Sequence, residues 1–583
     1  MASASRPSCA QEHGIPCFFM DSGLTTKDYG WGTYAFRQLG LHKVKLVLEL
    51  AKTGVDTLTV DADAFVLRDP FPYFRRLPNA DVLTSSDHLR ATHGLDDDGL
   101  EDGMGFGSAF NIGCAHGRPL LRRAPPRQLT RARRVCLAAG TSSYARVRSS
   151  LCRSGATRAS RRRTIGTRRA ISSSPVVHRH LITPSTRPCP PPHVFRIFEN
   201  PVLALSSQVL FQQVLKGGEP RGSSTGLTGI ESRLRPMFKR SDGTRVMVGV
   251  LPVALFASGH TFFVSRMAHL AHASPYMVHT TFQYGGAQGK RHRLREGLMW
   301  EDDEDYYSKP DFLTYDLDLP YDLVYPRGGT VGDDGTQPLD QHMSVEQHFK
   351  LVHHQLRQMR NAFALARALG RVLILPRLVC GLDRWWAPHA GIIPGSAARL
   401  PLLECPADHV IDLERMGKPE KLLREHTMLC NPRTPKSVLA SIERVKVDPM
   451  PPTPGPAGAK LVRTLREQHR GTKVLTITSA LPDYRAILSQ ADAADFENKI
   501  RSPPRPLLLP GISAESFAEI RRSRSRLAVP RDGRAYAGLW CCNRPPGGRG
   551  PGHIWYDFLD DIIPHEDRHR RKWDKPWEPR MGP

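Results

Sequence analysis

Between Gly14 and Pro119, short apolar runs alternate with stretches of helical periodicity: IPCFFM, KVKLVLELAKTG, TLTVDADAFVL, ADVLTSS and SAFNIGCAHG follow one another. Alternating β and α elements predict a mostly parallel sheet with helices on its faces. In open sheets of that kind, ligands bind beyond the carboxyl ends of the strands. The pattern fades after Pro119 and resumes near Val194 through SSQVLFQQVLKGG, MVGVLPVALFASGHTFF and PYMVHTTFQYGGAQGKRHRLREG. From Ser344 a new unit begins. Phe349, Val352, Leu356, Met359, Phe363 and Ala366 recur at three- and four-residue steps, marking one face of a helix that stops at Gly370 before the strand RVLILP. That helix-to-strand step predicts a second α/β domain, with the proline-rich run DPMPPTPGPAG as a loop inside it. The resulting division is 14–117, 118–193, 194–330 and 340–583.

Charge changes the picture in one place. Of the formal net charge of +25, 18 arginines between Arg118 and Arg187, with no lysine and no acid among them, leave only +7 for the rest of the chain. The basicity therefore belongs to one segment, and a nucleic-acid-binding fold is not expected. Ser, Pro and scattered Arg without periodicity predict that 118–193 is disordered. Eleven cysteines include no C-x-x-C pair, so no zinc site is expected. Cys380, Cys405, Cys430, Cys541 and Cys542 fall in the C-terminal half, where an oxidising compartment would favour disulfides. Vicinal cysteines seldom bond to each other, so Cys541 and Cys542 are expected to pair elsewhere, with Cys380 and Cys405 as partners. No window reaches a membrane-spanning length, and the start MASASRPSCAQEHG lacks the regions of a signal peptide, so the chain as written reads as soluble.

The candidate chemistry lies at the end of TLTVDAD. Residues two apart on a strand share a face, so Asp61 and Asp63 are expected to point at one object. Carboxylates suit hard divalent ions such as Mg2+ and Mn2+, which are held by one or two acids plus substrate phosphates. A nucleotide-sugar would supply the phosphates. His279 follows the apolar stretch YMV and stands as a third ligand. Gly285, Gly286 and Gly289 would let backbone approach a diphosphate, and Lys290, Arg291 and Arg293 would neutralise it.

The strings DYGWGT, TLTVDADAFVLRDPFPYF, ADVLTSSDHL, AFNIGC, LPVALFASGHTFFV, VHTTFQYGGAQGKRHRLREG and WCC with PGHIWYD occur in this order. Together they resemble the plant and algal extensin arabinosyltransferases of glycosyltransferase family 77, over roughly 14–119 and 246–557. The resemblance implies a GT-A-like α/β fold built on a nucleotide-diphospho-sugar transferase domain. It also implies a retaining, Mn2+- or Mg2+-dependent transfer of L-arabinofuranose from UDP-arabinofuranose to hydroxyproline-linked arabinosides of glycoproteins, in the Golgi. By that resemblance Asp61 and Asp63 bind metal and nucleotide, His279 is a metal ligand, and Lys290 with Arg291 faces the diphosphate. Asn111 and Gly113 match the loop beside the donor sugar, and Asp28, Trp31 and Asp87 match positions without an assigned role. Three departures stand out. The family's first strand and helix and its N-terminal membrane anchor are expected ahead of GIPCFFM, which makes this chain an N-terminally truncated version. The Arg-rich segment replaces a helix. Ser206, Ser207 and Gln208 replace Trp-Asp-Gln, so the carboxylate expected near the reacting sugar is missing at Ser207. A xylosyl- or galactosyltransferase and a non-catalytic binding scaffold are the alternatives.

Overall fold

The computed structural model describes residues 34–102 (apart from 55, 90, 95 and 96), 110–117, 135–139, 226–325 (apart from 240–242 and 244), 345–383 (apart from 382), 401–500 (apart from 412, 415 and 417), 539–543 and 552–555. Helix α1 (Tyr34–Lys52) carries the periodic stretch that precedes TLTVD, and it packs against the strand which that stretch forms. Strands β1 (Thr57–Asp61), β2 (Ala64–Val66), β3 (Val82–Ser86), β4 (Phe110–Gly117), β5 (Val135–Ala139), β6 (Arg235–Lys239), β7 (Arg245–Val250), β8 (Phe256–Ser258) and β9 (Met277–His279) make two sheets. The larger has the order β5-β1-β4-β3-β7-β6 and is mixed, parallel at β1–β5 and β3–β7 and antiparallel where β4 and β6 join. Leu58, Val60, Tyr73, Phe74, Leu83, Leu234, Phe256 and Met277 are buried together beneath it. Each such side chain contributes about 1.5–3 kcal/mol relative to exposure, so the end of β1 rests on a firm base. The smaller sheet, β2-β9-β8, branches off directly after β1.

The α/β class agrees with the hydrophobic pattern. Within the segment expected to be disordered, however, Val135–Ala139 form β5 and pair in parallel with Thr57–Asp61. The five-residue apolar run VCLAA finds a free strand edge there, a local signal that the surrounding arginines obscure.

Helix α2 (Gly286–Glu296) leads into a second sheet made of β10 (Phe312–Tyr315), β11 (Val372–Ile374), β14 (Leu423–Arg424), β15 (Ile442–Val445) and β16 (Val474–Ile477). Its order is β14-β11-β10-β16-β15 and every pairing is parallel. β10 lies at its centre, so this sheet starts before residue 340 and takes a strand from the segment 194–330. The crossover from β10 to β11 contains α3 (Val345–Leu369), whose Val352, Leu356, Met359 and Ala366 are buried as the periodicity predicts. The proline-rich run does end in a helix: Pro456 occupies the first turn of α4 (Pro456–Gln468), where its missing N–H is no loss.

Strands β12 (Leu378–Cys380) and β13 (Leu402–Cys405) pair antiparallel. Their cysteines, Cys380 and Cys405, are bonded to each other. This corrects the expected pairing with Cys541 and Cys542. The latter two lie in β17 (Leu539–Asn543), which pairs with β18 (Gly552–Trp555). Strand pairing between neighbours along the chain brings Cys380 and Cys405 within Cα reach at 5.4 Å.

Candidate active site

β1 ends at Asp61, and Ala62 and Asp63 form the turn into β2. The two acids therefore meet across a turn rather than on a shared strand face. β2 pairs antiparallel with β9 in the register Ala64↔His279, and the Asp63 carbonyl accepts from Thr280 N at 2.9 Å and from Thr280 Oγ1 at 2.7 Å. That register is what brings a histidine more than two hundred residues away to the acids. His279 Nε2 lies 3.3 Å from Asp63 Oδ1 and 3.7 Å from Asp61 Oδ2. One ligand atom from each of the three residues lies within 4.8 Å of the others, a spacing that one cation can bridge.

Helix α2 approaches from the other side. It begins at Gly285, whose φ of +75° is a left-handed conformation that favours glycine. A Cβ on Gly289 would stand 1.6 Å from the Tyr284 carbonyl, so this glycine permits close approach of the protein's own backbone. From the next position Lys290 Nζ donates to Asp63 Oδ2. The other two cations of the loop have different partners. Arg291 stacks over Trp300 at 5.3 Å, and Arg293 is fully buried, with Nε donating to Asp408 Oδ1 at 2.9 Å. Asp408 Oδ2 also accepts from Tyr284 N at 2.8 Å, which ties the loop before α2 to the second half of the chain. Arg293 is thus a packing cation, and the diphosphate-facing role expected of it does not hold.

Electrostatics follow from this geometry. Burial pushes the Asp63 carboxyl up, but His279 and Lys290 outweigh it and hold the group well below the usual carboxylate range. Burial pulls His279 down, while Asp63, Asp61 and Asp87 together raise it above its ordinary value. Asp87 therefore acts on the site, and its Oδ1 accepts from Asn111 Nδ2 at 2.5 Å. The Asn111 carbonyl accepts from Thr84 Oγ1 and Ser85 Oγ, each at 3.0 Å. Gly113 lies in β4 where the register with β3 shifts, Thr84 facing Ala115 and Ser85 facing Asn111. Ser207, Asp28 and Trp31 lie outside the described residues.

Lys43, on α1, is absent from the sequence reading. Its Nζ donates to Asp61 Oδ1. No local spacing marks it, because the contact depends on how α1 packs over β1.

The sequence profile of the nucleotide-diphospho-sugar transferase family matches residues 3–119, the segment that contains Asp61, Asp63 and Asn111. Arabinosyltransferase XEG113 of Arabidopsis thaliana is 31% identical over 562 residues, covering 94% of this chain and 70% of that protein. The chain belongs to the family 77 arabinosyltransferases. It is a glycosyltransferase. No solved structure matches this transferase. Among its described residues, no helix is long and apolar enough to cross a membrane.

Two carboxylates and an imidazole offer a divalent cation two hard oxygen donors and one nitrogen, a set that leaves positions for phosphate oxygens.

Proposed function

We propose that this transferase moves L-arabinofuranose from UDP-arabinofuranose to hydroxyproline-linked arabinosides of extensin-type glycoproteins, with retention of configuration and with Mn2+ or Mg2+. The observation that carries the reading is the convergence of Asp61, Asp63 and His279 beside Lys290, in a chain related to an arabinosyltransferase. Asp61, Asp63 and His279 would hold the ion. When bound, the ion supplies Lewis-acid charge where the leaving diphosphate develops its own. Lys290 adds a second positive charge on the same side. Asn111, buried and fixed by Asp87 and by the hydroxyls of Thr84 and Ser85, lies beside the Gly113 irregularity in the segment that the family resemblance puts next to the donor sugar. Residues 14–117 and 194–330 supply the transferase unit, with β5 from the intervening segment, and 340–583 supply the C-terminal α/β unit, with β10 at the centre of its sheet. The disulfide between Cys380 and Cys405 supports an oxidising compartment such as the Golgi lumen.

The test is transfer to a hydroxyproline arabinoside from UDP-arabinofuranose, UDP-xylose and UDP-galactose, each with and without Mn2+. Transfer of arabinose alone, lost on chelation, is the expected result. Faster transfer of xylose or galactose would move the donor assignment to that sugar. Ser207, where a carboxylate is expected, favours a second reading in which the protein binds nucleotide without turnover. That reading predicts Mn2+-dependent UDP binding with no transfer from any donor.

A further inference from the structure

Each acid of the site is used twice. Asp61 gives Oδ1 to Lys43 and turns Oδ2 toward His279, 3.7 Å away. Asp63 gives Oδ2 to Lys290 and turns Oδ1 toward His279, 3.3 Å away. The two lysines thus hold the outer oxygens, and the inner oxygens and the imidazole are left to face one point. Lys43 is no wandering surface cation: its side chain is 12% exposed, against 31% for the Asp61 it holds. It is anchored on α1, which packs on β1 itself. Two carboxylates against two ammonium groups leave these four side chains with no net charge. A bare divalent ion entering there gains less from long-range attraction, because Asp61 and Asp63, the acids nearest to it, are each matched by a lysine that repels it. A diphosphate gains correspondingly, since the lysines offset the acids that would otherwise repel it.

We propose that Lys43 is a fixed counter-charge that sets the ligand preference of the donor site, disfavouring the free divalent cation and favouring the nucleoside diphosphate, so that the two are retained together. This rests on the metal and nucleotide reading of Asp61, Asp63 and His279. It differs from a structural role in the sign of what it predicts. A lysine that merely braces Asp61 would, when removed, weaken every ligand of the site. A counter-charge, when removed, strengthens one ligand and weakens the other.

The experiment is calorimetric titration of the full chain with Mn2+ alone, with UDP alone, and with UDP at saturating Mn2+, for the wild type, Lys43→Met, Lys43→Arg and Lys45→Met. Methionine keeps the length and helix preference of lysine without its charge. In Lys43→Met, Mn2+ alone should bind on the order of tenfold more tightly and UDP alone on the order of tenfold more weakly, as expected for removing one unit charge next to a divalent ion in a solvent-like dielectric. Lys43→Arg should stay within about twofold of wild type for both. Lys45, exposed on the same helix, should behave as wild type when changed to Met, which controls for net charge and folding. Weakening of both ligands in Lys43→Met, or no change in either, overturns the counter-charge. Failure of the wild type to bind Mn2+, UDP or the two together overturns the underlying metal and nucleotide reading, and the counter-charge with it.

Discussion

At the scale of single residues, Asp63 carries more of the site than Asp61. It alone meets both His279 and Lys290, and their combined charge overrides the burial that would otherwise protonate it. Asp63→Asn keeps the shape and removes the charge. Transfer should fall by about 10²–10³, the loss typical of one well-placed electrostatic group, and UDP should lose its dependence on Mn2+ in titration. Undiminished Mn2+-dependent binding would show that the ion sits elsewhere. Of this cluster, the sequence singled out Asp61 and Asp63 by motif spacing, and His279 and Lys290 by a looser family likeness, because the β2–β9 register that brings His279 to the acids is not a local signal. It left Lys43 hidden and treated Arg293 as a ligand group. Both errors have one cause: which way a side chain points from a helix is decided by the helix's neighbours, and those are distant in sequence.

At the scale of elements, α2 is the part whose two sides do different work. One side presents Lys290 to Asp63, while the other buries His292, Arg293 and Glu296 against the second half of the molecule. Burial pulls His292 down to about 3, and burial pushes Glu296 up to about 8 although Ala407 N donates to its carboxylate at 3.0 Å. The two groups lie 3.6 Å apart and are both favoured in their neutral forms. The folded chain holds more protons at Glu296 than the unfolded chain between its ordinary 4.5 and about 8, so stability from this group falls as pH rises through that window. His292 acts at the other end: below its ordinary 6.5 the unfolded chain takes up a proton that the folded chain refuses down to about 3, so stability falls as pH drops. Glu296→Gln keeps an acceptor for Ala407 and cannot ionise. Its melting temperature relative to wild type should therefore climb between pH 5 and pH 8. A difference that stays constant across that range would mean Glu296 is already charged in the folded protein.

At the scale of the whole molecule, α2 makes contacts toward both halves, Lys290 with Asp63 after β1 and Arg293 with Asp408. The hydrophobic pattern made the two α/β units readable, since both the strand runs and the α3 face are periodic. It misjudged where the second sheet begins, because β10 is a buried four-residue strand whose partners β11 and β16 come much later in the chain. The link between the halves was equally invisible: Arg293 and Asp408 are both completely buried, and Asp408 also holds Tyr284 N at the start of the loop that delivers Lys290. Removing one partner of such a pair strands a charge in a dry interior, at a cost of about 3–5 kcal/mol, whereas replacing both with apolar groups can cost far less. Arg293→Met and Asp408→Leu should each lower the melting temperature markedly, and the double variant should be more stable than either single one. Because Asp408→Leu also releases Tyr284, the double variant should recover stability while UDP binding with Mn2+ stays weakened. If the two single losses simply add in the double variant, Arg293 and Asp408 are not coupled and do not join the halves as a pair. If stability and UDP binding recover together, the hold of Asp408 on Tyr284 is unnecessary for placing Lys290.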